Sequence, residues 1–122
     1  MLEFFREGGF GMWGVLVFGL AALAGAARYA WDLDPSRLRF SAVMTIAVAA
    51  ASCHAMLIDA AQVFWFLEDP ERVADAELTR VLLTGLKEST RPGGLGGIFV
   101  VLALVLMAVG IHRDGQKQRR AA

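Results

Sequence analysis

The sequence has little cysteine and no surplus of charge of either sign. Its single cysteine, Cys53, has no partner for an internal disulfide, so cysteine usage says nothing about the redox state of its compartment. Twelve Lys and Arg residues balance twelve Asp and Glu residues. The chain therefore lacks the positive field by which proteins neutralise phosphates, and we do not expect a nucleic acid among its partners.

Signatures of enzymes are also lacking. The sequence contains no Ser-His-Asp set, P-loop, zinc signature or pair of catalytic carboxylates, and its polar stretches are too short for an active-site cleft. We expect neither an enzyme nor a resident cofactor or metal. Cys53, His54 and Met56 match a soft-metal ligand set only in residue type, because adjacent side chains point about 100° apart on a helix. Ligation of a metal or haem by several subunits together stays open as a third hypothesis.

What the sequence does contain is three long apolar runs, at residues 10–29, 40–67 and 95–111. A hydrocarbon core about 30 Å thick requires roughly 20 apolar residues per helix. The runs therefore predict an all-α integral membrane protein with three transmembrane helices, in a single domain that covers residues 1–122. The predicted spans are about residues 10–31, 40–67 and 93–112.

The charges near the ends of the runs predict the topology. An export signal carries positive charge before its apolar run, whereas the segment before the first run here holds Glu3 and Glu7 and a single Arg6. We therefore expect the first run to be a retained span. With three spans, the first connector and the C-terminal tail share one side and hold seven Lys and Arg residues, against five on the other side. The positive-inside rule then predicts an N-terminus outside and a C-terminus inside.

The segment between the second and third runs predicts an amphipathic helix at about residues 71–91. Its apolar residues recur mostly at three- and four-residue spacing: Val73, Leu78, Val81, Leu82, Gly85 and Leu86. Asp69-Pro70 is a start signal, and Arg91-Pro92 interrupts the pattern. We expect this helix either to lie along the membrane surface or to form a bent lead-in to the third span.

The second run carries polar side chains that a purely structural span does not need. Four of them form one stripe on a helix: Thr45, Ser52 and Asp59, spaced by sevens, and Gln62, three residues later. A charged Asp at the bilayer centre costs about 2.5 to 3.5 kcal/mol on insertion scales, so we expect the stripe to face protein or water. Alternatively, Asp59 and Gln62 mark an early end of the span, followed by an interfacial aromatic belt at residues 64–66.

His54 is the histidine of the second run. A neutral imidazole there can hydrogen-bond a neighbouring helix and stabilise packing by roughly 1 kcal/mol, or it can act as a pH switch, and we favour packing. His112 lies near the far end of the third run, which disfavours haem ligation by both histidines of one subunit. The first and third runs are rich in small residues that let membrane helices approach closely, and this predicts a homo-oligomer.

Two stretches of the sequence are similar to one known family. Residues 7–13 read Glu-Gly-Gly-Phe-Gly-Met-Trp and open an apolar run that ends at Arg28. This resembles the MotA/TolQ/ExbB proton-channel family, whose members commonly have Gly-Gly and then Met-Trp-Pro before the first span; Gly14 stands here in place of the proline. Residues 85–89, Gly-Leu-Lys-Glu-Ser, resemble the family's Gly-Ile-x-Glu-Ala lead-in to its last span.

This resemblance implies a pentameric ring in a bacterial inner membrane, around one or two single-span partner helices that carry an aspartate. Proton flow in that family drives rotation or force transfer. Glu88 and Thr90 are the two positions with counterparts in the family, Thr90 near its pore-side threonine. The family's Gly-Thr-Val-x-Gly motif is absent from the second run, and the connector at residues 31–39 lacks the family's cytoplasmic domain.

Two functions are consistent with these patterns. The first is a small oligomeric subunit that resembles a proton channel or an energy-transducing stator component, with Asp59 as its titrating group. The predicted pathway residues are Thr45, Ser52, Asp59, Gln62, Glu88 and Thr90. The alternative is a non-conducting structural or scaffold subunit of a larger membrane complex.

Overall fold

The computed structural model describes residues 9–69, 71 and 74–122, and these are almost entirely helical. Four α-helices follow one another: α1 (Gly11–Asp32), α2 (Pro35–Leu67), α3 (Leu78–Ser89) and α4 (Arg91–Ala121). No strand occurs among the described residues, which confirms the all-α prediction. The N-terminal charge pattern, residues 7 and 8 of the family-like stretch, and Pro70 and Val73 of the predicted amphipathic segment lie outside the described residues.

Three helical stretches are long and apolar enough to cross a membrane, as the apolar runs predict. They are α1, α2 and the stretch Leu78–Ala121, which contains α3 and α4. Helix α2 has 33 residues, or about 50 Å at 1.5 Å per residue, so it extends beyond a hydrocarbon core about 30 Å thick. Helix α2 is therefore longer than a membrane span requires.

A two-residue link joins α1 to α2. Leu33 ends α1 in the left-handed region at φ 60°, and its N–H donates to the Tyr29 carbonyl at 2.8 Å. Asp34 then caps α2, because its side chain accepts from the Ser36 N–H at 2.9 Å. Pro35 lies in the first turn, where an N–H has no intrahelical partner in any case. These residues explain why α2 begins ahead of the apolar run.

A break at Thr90 separates α3 from α4. Pro92 lies in the first turn of α4, a position that suits the start of a helix and not its interior. The Thr90 hydroxyl donates to the Lys87 carbonyl at 2.7 Å and so completes the end of α3. Helix α3 packs mainly against α2. It occupies part of the predicted amphipathic segment, whose placement at a membrane surface stays a prediction.

The core lies where α1, α2 and α4 meet. Its buried members are Val15, Ala22, Ala26, Val48, Phe99, Ala103 and Met107. Glycines bring these helices close together. A Cβ added at Gly19 would overlap the ring of Phe99, and a Cβ added at Gly110 would lie 2.6 Å from Cε1 of Tyr29. Small residues therefore set the helix separation, as is typical of membrane bundles.

The outward faces of the three long helices carry large apolar side chains. The most exposed of these on α2 and α4 include Val43, Ile46, Leu57, Ile98, Val101 and Val105. So many exposed large apolar side chains are unfavourable in water but suit contact with lipid. The side-chain distribution is therefore consistent with a membrane location.

Candidate functional site

An open groove of about 740 Å³ lies between the C-terminal half of α2 and helix α3. We call it the α2–α3 groove. Its polar side chains are Asp59, Gln62, Glu77, Arg80, Thr84, Glu88 and Ser89. Val63, Phe66 and Val81 add apolar walls, and Gly9 lies at its edge. The groove is therefore at the end of the bundle where α1 begins and α2 ends.

Gly85 explains why α3 lies so close to α2. A Cβ added at Gly85 would lie 2.6 Å from Cγ2 of Val63, so only a hydrogen atom fits there. One turn later Ser89 is buried, and its hydroxyl donates to the Gly85 carbonyl at 2.8 Å. The close contact between Gly85 and Val63 holds the polar side chains of α3 opposite Asp59 and Gln62 on α2.

Asp59 is partly buried in the groove, with the backbone of Gly9 close by. Gly9 has φ +67°, a conformation that favours glycine, and a Cβ there would lie 3.7 Å from Oδ1 of Asp59. Among the described residues, the side chains of Asp59, Arg80 and Glu88 form no hydrogen bond or ion pair with one another or with other residues. The groove thus contains charges that the described part of the chain leaves unneutralised.

Three of the predicted site residues meet in this groove: Asp59, Gln62 and Glu88. Gln62 is exposed and Glu88 is partly buried. The packing of α3 on α2 brings Glu88 to the same cavity as Asp59 although the two are distant in sequence. The structure thereby joins the C-terminal part of the polar stripe to the lead-in segment, which the sequence patterns treat separately.

Thr45 and Ser52 lie in the bundle interior and do not line the groove. The Thr45 hydroxyl donates to the Ser41 carbonyl and the Ser52 hydroxyl to the Val48 carbonyl, each at 2.7 Å. Ser52 also packs against Gly96, where an added Cβ would overlap its Oγ. Within one copy of the chain, these two hydroxyls therefore bond to their own helix and serve close packing.

Ser41 extends the same stripe towards the start of α2 and is absent from the predicted site. Its buried hydroxyl donates to the Ala22 carbonyl at 2.9 Å and so links α2 to α1. The four-residue spacing between Ser41 and Thr45 is the signal that could have identified it.

Part of the groove lining is likewise absent from the predicted site. Glu77, Arg80 and Thr84 come from the turn before α3 and from α3 itself. Their spacing along the polar side of the predicted amphipathic segment is visible in the sequence. Nothing in that spacing, however, indicates that this side would meet the polar stripe of α2.

Thr90 and His54 lie away from the groove. Thr90 is exposed at the break between α3 and α4, and its hydroxyl bonds the Lys87 carbonyl. His54 is exposed on α2 beside the exposed Cys53, so it faces away from the three-helix core. Among the described residues, no group of three or more His, Cys, Asp or Glu side chains could hold a metal ion.

The opposite end of the bundle holds charged side chains that make structural contacts. Arg37 forms an ion pair with Asp32 and a longer one, at 3.8 Å, with Asp34. Arg113 of α4 donates to the Ala30 carbonyl of α1. These contacts connect the start of α2 and the C-terminal part of α4 to the last turn of α1. They therefore link the helices at this end of the bundle, whereas the charges of the groove form no ion pair with a described residue.

Comparison with known proteins leaves the family open: no family model, curated protein or solved structure matches the chain. The resemblance to the MotA/TolQ/ExbB family therefore stays a prediction that depends on residues 7–13 and 85–89.

Proposed function

We propose that this chain is a small structural or scaffold subunit that assembles laterally with further copies of itself in a membrane. The observation that supports this most is which groups the polar side chains of α2 bond to. The interior hydroxyls of Ser41, Thr45 and Ser52 all donate to backbone carbonyls, whereas His54 faces outward. The interior hydroxyls therefore serve helix packing, whereas His54 requires a hydrogen-bond partner from outside the bundle.

The assembly surface in this proposal is the outward face of α2 around His54. Ala50, Cys53, His54 and Leu57 are exposed on it. Hydrocarbon offers an imidazole no hydrogen-bond partner, so contact with protein is favoured over contact with lipid. A second copy of the chain is a suitable partner because a neutral imidazole has one donor and one acceptor, and two His54 rings can bond to each other. The small side chains of Ala50 and Cys53 allow close approach.

Oxidative cross-linking tests this surface. Cys53 is the only cysteine, so the full chain can be oxidised with copper phenanthroline in native membranes without removing other thiols. We expect a disulfide-linked dimer for the wild-type chain and a weaker dimer band for His54→Leu. The matched control is Cys53→Ser/Val101→Cys, which moves the thiol to an exposed position on α4 and should cross-link poorly. A wild-type chain that stays monomeric, or a control that cross-links equally well, would contradict the proposal.

A second candidate function is proton transfer, which is favoured by the convergence of Asp59, Gln62 and Glu88 in the α2–α3 groove. In this hypothesis Asp59 is the titrating group, and several copies surround a single-span partner helix that carries an aspartate. With the N-terminus outside, the groove would open to the outer face of a bacterial inner membrane.

Proton flux into liposomes that enclose a pH-sensitive dye distinguishes the two functions. The complex purified with its native partners is reconstituted, and Asp59→Asn is expected to abolish flux while leaving assembly intact. Glu68→Gln, a charge removal at the exposed end of α2 outside the groove lining, is the control and should retain flux. Flux that Asp59→Asn leaves unchanged would remove Asp59 from the mechanism. If the wild-type complex shows no flux, proton transfer is contradicted and the scaffold function is the one that remains.

A further inference from the structure

The α2–α3 groove has the size and the walls of a small-molecule site. Its volume of about 740 Å³ lies within the roughly 300–1,000 Å³ of ordinary ligand pockets. Val63 and Phe66 of α2 and Val81 of α3 provide apolar walls, and polar side chains enter from both helices. Apolar walls with a few convergent polar groups are the usual construction of pockets that bind organic molecules.

The charges in the groove favour a cation. Asp59, Glu77 and Glu88 contribute three carboxylates, and Arg80 contributes the only positive charge among the described lining residues. None of these four side chains forms an ion pair with a described residue. Asp59 and Glu88 are also partly buried, and a charge held beside them is less screened than one in open water.

The position of the groove favours a ligand that also has an apolar body. Asp59 lies shortly before the end of α2, where Phe64 and Trp65 are exposed. Exposed aromatic side chains near the end of a membrane helix are typical of the interface between lipid and water. A molecule that concentrates at this interface would combine a charged group with an apolar part.

We propose that the α2–α3 groove binds a lipophilic monovalent organic cation, such as an amine, quaternary ammonium or phosphonium group on an apolar body. Asp59 and Glu88 face the positive charge, and Val63 and Val81 provide apolar surface for the rest of the molecule. This site goes beyond the scaffold function and is separate from its assembly surface, because His54 does not line the groove.

Two ions of the same shape and opposite charge provide the test: tetraphenylphosphonium and tetraphenylborate. Binding is measured by equilibrium dialysis of the full chain in lipid nanodiscs, with empty nanodiscs to subtract partition into lipid. We expect saturable binding of tetraphenylphosphonium and no saturable binding of tetraphenylborate. Equal binding of the two ions would overturn the proposal, since the site would then select for apolar surface alone.

Substitutions in the groove assign the binding to named side chains. Asp59→Asn and Glu88→Gln should each weaken tetraphenylphosphonium binding about tenfold or more, because each removes one charged partner. Arg80→Gln should strengthen binding, since it removes a repelling charge. Glu68→Gln, at the same end of the bundle but outside the lining, should leave the dissociation constant within about twofold. Unchanged affinity in both Asp59→Asn and Glu88→Gln would overturn the proposal.

A substitution that leaves all groove charges in place distinguishes a blocked groove from an unfolded protein. Thr84 is exposed on α3 and lines the groove, so Thr84→Phe should narrow it and abolish binding while helix content and elution volume stay unchanged. A folded Thr84→Phe variant with wild-type affinity would contradict the proposal. Saturable binding of a lysine-rich peptide, without binding of tetraphenylphosphonium, would assign the groove to a basic protein segment and also overturn it.

Discussion

Ser52 on α2 and Gly96 on α4 are packed so closely that a methyl group added at Gly96 would overlap Oγ of Ser52. The serine cannot easily move, because its hydroxyl donates to the Val48 carbonyl at 2.7 Å. We therefore expect Gly96→Ala to lower the free energy of unfolding by about 1–3 kcal/mol, the usual cost of overpacking a core. Circular dichroism during unfolding by dodecyl sulfate in mixed micelles measures this change.

The neighbouring Gly97 provides the control for that prediction. A Cβ added at Gly97 meets no atom within 4 Å, so Gly97→Ala tests the change in helix propensity without the overlap. Alanine is the better helix former, and we expect this variant to be neutral or more stable by up to about 1 kcal/mol. Equal destabilisation by both substitutions would contradict the close packing of Gly96 on Ser52.

Gly19 and Phe99 form a second close contact, between α1 and α4, and Phe99 is only 8% exposed. Gly19→Ala should therefore destabilise the bundle, whereas Gly14→Ala, with open space around the added Cβ, should not. In a Phe99→Ala background the ring is gone, and we expect the cost of Gly19→Ala to shrink by about 1 kcal/mol or more. A double-mutant cycle in the same unfolding assay measures this coupling. Additive costs would show that the two residues do not interact.

The Ser41 hydroxyl links two helices, whereas the Thr45 hydroxyl bonds only to its own helix. We expect Ser41→Ala to lower the free energy of unfolding by about 0.6 kcal/mol, the average for hydrogen bonds between membrane helices, and by no more than about 1.7 kcal/mol, the largest value measured. Thr45→Val keeps the side-chain shape, removes an intrahelical bond and should cost less. If Thr45→Val costs as much as Ser41→Ala, the bond to Ala22 has no special role in joining α1 to α2.

The cap at Asp34 provides a test of the link between α1 and α2. Asp34→Ala removes the acceptor for the Ser36 N–H and should cost about 1 kcal/mol of stability. Asp34→Asn retains a capping side chain but loses the charge that faces Arg37, so it should cost less, since exposed ion pairs contribute little. Thermal unfolding of the two variants distinguishes these roles. Equal losses would assign the stabilisation to the charge and not to the cap.

The polar stripe shows which part of the candidate site sequence patterns can predict. A spacing of seven residues correctly indicates that Thr45 and Ser52 share one face of α2, since both are buried in the bundle. Spacing cannot indicate which neighbour covers each part of that face. The structure covers Thr45 and Ser52 with close helix packing, whereas Asp59 lies in a groove beside α3. The difference depends on where α1 and α4 begin and on the packing of α3 beside the last turns of α2.

The amino-acid sequence by itself determined that this chain has three apolar helices of membrane-spanning length, because apolar run length is a local property that any single helix must satisfy. The apolar run places the start of the second span at about residue 40, whereas α2 begins at Pro35, because Asp34 and Pro35 act on the first turn ahead of that run. Only the tertiary structure decided that Glu88 would share a groove with Asp59. That pairing depends on the missing side chain of Gly85 against Val63, a contact between helices for which hydrophobic periodicity carries no information.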